Sequence, residues 1–145
     1  MHLTRYSDYG LRVLIYLAVK TDGLATIEEI SDAYAISKAH LMKLVHEMGQ
    51  AGLLETVRGR GGGIRLARPP EEIRIGDVVR QTEGKMELVE CFGPEKSHCR
   101  IEAVCGLRPV LEEALSAFLG VLDQYTLADI VSRRRKSLAR LLVAS

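Results

Sequence analysis

Cys91, Cys99 and Cys105 are the only thiols in the chain, and they fall within 15 residues with the spacing C-x7-C-x5-C. An odd number of cysteines cannot close into an intramolecular disulfide framework. A structural cysteine is usually a lone, small, buried side chain. Three gathered in one segment point instead to metal or redox chemistry, as expected in a thiol-reducing compartment. The segment also holds Gly93, Pro94 and Gly106, so its backbone can wrap an ion. Three thiolates need one further ligand to complete either a tetrahedral zinc site or an iron–sulfur cluster. His98 is one candidate, although it adjoins Cys99 and joint ligation is awkward. Spacing does not separate zinc from iron–sulfur.

A second set of residues has the chemistry of nucleic-acid contact. Ser37 caps a helix whose inner stripe is Leu41, Leu44, Val45 and Met48, at i, i+3, i+4 and i+7. Its outer face carries Ser37, Lys38, His40 and Lys43, and residues 36–46 contain no acid. A helix of this length fits the major groove of double-stranded DNA with its first turns toward the base edges. Downstream, residues 56–68 contain Arg58, Arg60, Arg65 and Arg68, again without an acid. Gly61 and Gly62, between Gly59 and Gly63, would let backbone approach a groove wall, where arginine profits from the narrow minor groove's negative potential. A nucleotide phosphate cradle is excluded, because neither Lys-Ser/Thr nor a helix follows the glycines. Arg5, Arg12 and Lys43 are expected as phosphate contacts or packing partners.

The elements that must position these residues are legible in outline. Ser7 or Asp8 is expected to cap a first helix with Leu11, Leu14, Ile15 and Ala18 inward, ended by Asp22-Gly23. Thr26 and Glu29 form a capping box for a second, with Ile27, Ile30 and Ala33 inward. The Ser37 helix follows and stops at Gly52. Residues 53–57 and 64–67 read as two strands around the glycine-rich tip. Pro69-Pro70 marks a boundary, Ile75–Arg80 a further short helix, and 84–106 an irregular segment. A long amphipathic helix from Leu107 to Leu122 places Leu111, Ala114, Leu115, Phe118, Leu119 and Leu122 inward. Thr126 with Asp129 starts another helical turn, and Arg133–Lys136 is read as a solvated face before Leu138, Leu141 and Leu142 pack back on the protein.

The expected fold is thus mainly α with a small β-hairpin: a winged helix-turn-helix over 1–83, a cysteine-rich loop over 84–106, and a dimerisation helix with helical tail over 107–145. The long helix has an apolar face wider than one small domain can cover, so a homodimer through it is expected. Two recognition helices would then face a palindromic operator.

Composition is that of an ordinary folded protein, and overall charge names no partner. Over 145 residues the chain is 47% hydrophobic and 27% charged, with a net charge of +1, so any nucleic-acid footprint must be local. The apolar stretch Leu11–Val19 spans nine residues and carries Arg12. A membrane-spanning helix needs about 20. No signal peptide is read, so a cytoplasmic protein without membrane contact is expected. No Ser/His/Asp set, paired-carboxylate site or cofactor loop points to an enzyme.

Four stretches taken together resemble the IscR/NsrR superfamily of iron–sulfur regulators. They are Leu3-Thr4-Arg5-Tyr6-Ser7-Asp8-Tyr9-Gly10-Leu11-Arg12, Val57-Arg58-Gly59-Arg60-Gly61-Gly62-Gly63-Ile64-Arg65-Leu66, Ile75-Gly76-Asp77-Val78-Val79-Arg80, and the three cysteines. Val89-Glu90-Cys91-Phe92 and the tail Leu122–Asp129 are most similar to its nitric-oxide-sensing branch. The resemblance implies a dimeric winged-helix repressor whose cluster, of the four-iron, four-sulfur type (4Fe-4S), is held by Cys91, Cys99 and Cys105. It implies that Asp8, from the partner chain, is the fourth ligand and that nitric oxide is the signal releasing the operator. Another branch uses a histidine three residues past the last cysteine, where this chain has Arg108. The alternatives are an iron- or redox-responsive regulator of the same superfamily and a constitutive zinc-containing DNA-binding protein.

Overall fold

The structure is a computed structural model that describes residues 1–143. The last two positions of the expected third segment lie outside the described residues. The chain runs α1 (Arg5–Val19), α2 (Ile27–Tyr34), α3 (Lys38–Gln50), β1 (Leu54–Val57), β2 (Gly63–Leu66), α4 (Ile75–Glu83), α5 (Leu107–Leu122), α6 (Leu127–Ser132) and α7 (Arg135–Leu142). Pro70–Glu72 forms a 3-10 turn ahead of α4. Two more, Glu90–Phe92 and Glu102–Val104, lie in the segment before α5 that had read as irregular.

Local chemistry explains the helix starts. Thr26 accepts from the Glu29 amide while Glu29 returns a bond to the Thr26 amide, and Thr126 with Asp129 repeats the arrangement for α6. Ser37 accepts from the His40 amide and starts α3. In α1 the start differs from the sequence reading. Thr4, not Ser7 or Asp8, is the cap, its hydroxyl accepting from the Ser7 amide. Ser7 lies inside the first turn and is fully buried. The inner face of α1 is correspondingly turned. Leu14 and Ala18 are buried as expected, but Val13 and Leu17 join them, while Leu11 and Ile15 are only half-buried.

One core unites the first three helices, the hairpin, α4 and α6. Leu14, Ile30, Leu41, Met48, Leu53, Ile73, Val78 and Leu127 are all 1% exposed or less. The hairpin is antiparallel, pairing Leu54 with Leu66 and Val57 with Gly63. Ala25 adds a third rung by exchanging two backbone bonds with Ile64, at 3.0 and 2.7 Å, which pins the wing to the loop before α2. That contact joins residues about 40 positions apart, so it lies outside any local pattern.

The return of the chain is bolted in the same way. The Ile75 amide donates to the Tyr125 carbonyl and the Leu127 amide to the Ile73 carbonyl. Arg80 forks onto the Asp123 carboxylate with bonds of 2.6 and 2.7 Å. The C-terminal end of α5 is thereby fixed beside α4, and α6 and α7 pack against α1. Leu138 and Leu142 pack on the core as expected, whereas Leu141 is 79% exposed. No helix among the described residues is long and apolar enough to cross a membrane.

Candidate DNA interface and cysteine loop

Helix α3 presents its polar side as the sequence reading expects. Leu41, Leu44, Val45 and Met48 are buried, and Ser37, Lys38, His40 and Lys43 are exposed. Their charges are not equally free. The Lys38 ammonium donates to Glu28 of α2 at 2.7 Å. This bond raises the Lys38 pKa and holds the Glu28 carboxyl below its usual range. Lys43 has only a loose partner, Glu47 at 3.9 Å. The Ser37 hydroxyl is occupied as a cap.

On the wing, Arg58 and Arg60 are exposed at the tip and form no ion pair among the described residues. Arg65 is different. It lies opposite Glu55 in the hairpin register and bonds it at 2.9 Å, so its charge is spent on the flank. Glu55 falls just outside the acid-free stretch, and only the register brings it in. The glycine tip also has an internal reason. Gly61 has a φ of +74°, and a Cβ on Gly62 would collide with the Val57 carbonyl oxygen. The turn itself excludes a side chain at 62.

The cysteine segment leaves α4 and reaches α5 through two 3-10 turns. Cys91 lies in the first, Cys105 ends the second, and the Cys99 amide donates to the Ser97 hydroxyl at 3.0 Å between them. All three thiols are free and half-buried. Arg108 braces this region, bonding Glu112 within α5 at 3.0 Å and Glu102 of the second turn at 3.2 Å. Soft thiolates are the donor type that iron–sulfur and zinc centres use, so the donor set fits such a group in kind. Among the described residues no three His, Cys, Asp or Glu side chains converge on one ion position. A single chain, so folded, does not close the site.

Asp8 stands apart from the thiols, in the first turn of α1. It accepts from Arg12 at 3.0 and 2.9 Å, and the Arg12 guanidinium also lies 5.7 Å from the Tyr9 ring centre. Thr4 holds the capping role, so Asp8 is not needed for it.

One polar group escaped the sequence reading. The carboxylate of Glu83, the last residue of α4, accepts from the Thr4 amide at 2.8 Å and the Thr4 hydroxyl at 3.0 Å. It also accepts from the Ser7 hydroxyl, which lies 2.7 Å from the Thr82 hydroxyl. Burial works to raise the Glu83 pKa, but the bonds from Ser7 and Thr4 outweigh it and hold the carboxyl below its ordinary value. The cysteine segment therefore departs from the point where α4 is tied to the cap of α1. The Thr4-x-x-Ser7 pattern was the available signal; the partner lies 76 and 79 residues away.

The apolar face of α5 is the other unfinished surface. No residue of this helix is buried. Leu111, Leu115, Phe118, Leu119 and Leu122 are half-buried, Ala114 is exposed, and Leu107, Val110 and Val121 are 54–60% exposed. The inward face expected from the sequence is thus only partly covered by its own chain. A groove of about 700 Å³ runs beside it, lined by Leu3, Met86, Leu115 and Phe118 among others.

A family model described as Rrf2, iron-dependent transcriptional regulator, matches residues 3–133. The chain belongs to the Rrf2 family. Relatives named HTH-type transcriptional regulator NsrR include those of Bacillus licheniformis and Bacillus subtilis. The first is 58% identical over 132 residues, covering 90% of this chain and 92% of the relative. The second is 56% identical over 135 residues, covering 92% of each. Among solved structures, T. potens IscR superposes with a TM-score of 0.72 at 27% identity, covering 94% of this chain and 90% of that one. The oxidised form of Staphylococcus aureus CymR gives 0.71 at 30% identity, covering 90% and 95%. This Rrf2-family chain is accordingly a winged-helix transcriptional repressor that binds DNA, and the family resemblance read from its motifs holds. Its relatives are named as regulators, not enzymes.

Proposed function

We propose that this protein is a nitric-oxide-responsive repressor whose iron–sulfur homodimer binds a palindromic operator. Residues 1–83 read DNA, 84–106 hold the cluster, and 107–145 supply the dimer helix and tail. The observation that carries the reading is the pairing of three free thiols, gathered at the start of α5, with an apolar α5 face that the chain leaves half covered.

Cys91, Cys99 and Cys105 would hold a cluster of the 4Fe-4S type, with Asp8 of the partner subunit as the fourth ligand. When bound, the cluster supplies iron that is open to nitric oxide where its ligand is a labile carboxylate rather than a thiolate. Both Asp8 oxygens accept from Arg12, so the carboxylate would have two competing partners, Arg12 within the chain and iron across the dimer. Each choice sets the first turn of α1, which Thr4, Ser7 and Glu83 couple to α4. A 100-fold change in operator affinity requires a coupling of only about 2.7 kcal/mol. On DNA, Ser37, Lys38, His40 and Lys43 face the major groove, and Arg58, Arg60, Gly61 and Gly62 the adjacent backbone and minor groove.

Anaerobic purification followed by absorbance and iron–sulfide analysis tests the cofactor. Mobility shift with and without nitric oxide tests the signal. A brown, iron- and sulfide-containing dimer that loses its operator on exposure to the gas is expected. A colourless, zinc-loaded protein, or one that grips the operator equally in both conditions, overturns the reading. Release on iron chelation with indifference to nitric oxide would assign the signal to iron. In the same assay, Asp8→Ala is expected to alter cluster spectra and the kinetics of nitric oxide reaction, and unchanged values would remove Asp8.

A further inference from the structure

Within residues 5–83, the large apolar side chains described as exposed are Met42 at 63% and Val57 at 37%. Val57 ends a strand at the wing. Met42 stands in the middle of α3, on the side away from the core, while Leu41, Leu44, Val45 and Met48 of the same helix are at most 5% exposed. It is therefore not a core residue that slipped outward. Helical spacing surrounds it with Lys38 at i−4, Ala39 at i−3 and His46 at i+4, all exposed, and Lys43 lies beside it. Glu47 is only half-exposed, and its carboxylate lies 3.9 Å from the Lys43 ammonium. The result is one flexible apolar side chain on the exposed face of the helix, beside Lys43 and next to a Lys38 that Glu28 already partners.

Charge complementarity chooses the occupant. Lys43, whose acid partner Glu47 stands 3.9 Å away, gives this face a cation for the phosphate-lined major groove, and within that groove the apolar feature on a base edge is the 5-methyl group of thymine. Methionine has three rotatable side-chain bonds and a polarisable sulfur, so it can fold onto a methyl without a rigid fit.

We propose that Met42 is a specificity-determining residue of the DNA interface, reading the 5-methyl group of one thymine in each operator half-site. This rests on α3 being the recognition helix. Burying one methyl-sized group is worth about 0.8 kcal/mol, or about a fourfold change in affinity.

The test uses full-length protein purified anaerobically and a duplex enriched by it from a randomised pool. Each thymine is replaced in turn by deoxyuridine, which lacks only the methyl. The wild-type protein is expected to lose about fourfold in affinity at one thymine per half-site. Met42→Ala should bind the thymine duplex more weakly and show no difference between thymine and deoxyuridine at that position. Met42→Leu should retain it. Circular dichroism and melting, unchanged for a side chain this exposed, separate the effect from misfolding. Wild-type indifference to every replacement overturns the proposal, as does the same methyl dependence in Met42→Ala. A shift in oligomeric state without methyl dependence would assign Met42 to a protein contact. Failure to enrich any duplex would bring down the recognition-helix reading as well, which distinguishes the two failures.

Discussion

Helix α3 and helix α5 are both amphipathic and of similar length, yet they end in opposite conditions. The apolar stripe of α3 disappears completely into a core shared with α1, α2 and the hairpin. No residue of α5 is buried; Arg108 ties its first turn to Glu102, and Asp123 ties its C-terminal end to Arg80. One chain completes the DNA-reading module by itself. It leaves the cysteines half-buried and the apolar face of α5 only partly covered. The contrast is between a face that the chain covers by itself and one that it leaves partly exposed.

That contrast can be broken most directly through stability. Leu41→Ala opens the closed core and should cost about 2–5 kcal/mol, read as a fall in urea midpoint and Tm. Cys91→Ala in metal-free protein should change stability by about 0.5 kcal/mol or less while abolishing iron binding. Comparable losses from both would mean that the loop is as built-in as the core. The next effect concerns assembly. Phe118→Arg places a charge on the α5 face and should convert a dimer to a monomer by light scattering, with helical content retained. A persistent dimer would move the interface elsewhere.

Smaller effects sharpen the comparison within the DNA-reading half. Arg60→Gln should weaken binding to all sequences alike and lower the slope of log affinity against log salt by about 0.9, one phosphate contact. A change confined to one base position would make Arg60 a base reader instead. Arg65→Gln should move the slope less, because Glu55 already neutralises that side chain. The smallest effect belongs to the Glu83 tie. Its carboxyl pKa is held low in the folded chain, so its contribution is fully present above the ordinary carboxylate pKa near 4.5 and is lost as the pH falls through the lower folded value. Glu83→Gln should remove about 1 kcal/mol at neutral pH, modest because the group is partly solvated, and flatten the acid limb of a stability–pH curve. An unchanged acid limb would show that the tie carries no stability.

Legibility followed the range of the interactions. The Thr26 and Thr126 capping boxes, the Ser37 cap and the α3 stripe depend on residues within one or two turns, and each was readable. The cap of α1 falls at Thr4 rather than Ser7 or Asp8, and Ser7 is sealed inside by Thr82 and Glu83 of α4, 75 and 76 residues away. Arg58 and Arg60 flank the glycine tip and are the arginines expected at DNA, whereas the pairing of Arg65 with Glu55 follows only from the hairpin register. Met42 lies outside the α3 stripe in the sequence, but that no other element covers it is decided by the tertiary packing.

Residue order alone therefore settled the element types, their sequence, the glycine-tipped wing and the gathering of three thiols, since these follow from spacing and short-range bonding. Folding in three dimensions decided which charges remain free, which hydroxyl is sealed inside, and that α5 and the cysteines stay unsatisfied in one copy. Those outcomes depend on partners tens of residues away, whose burial and electrostatic competition no local pattern encodes.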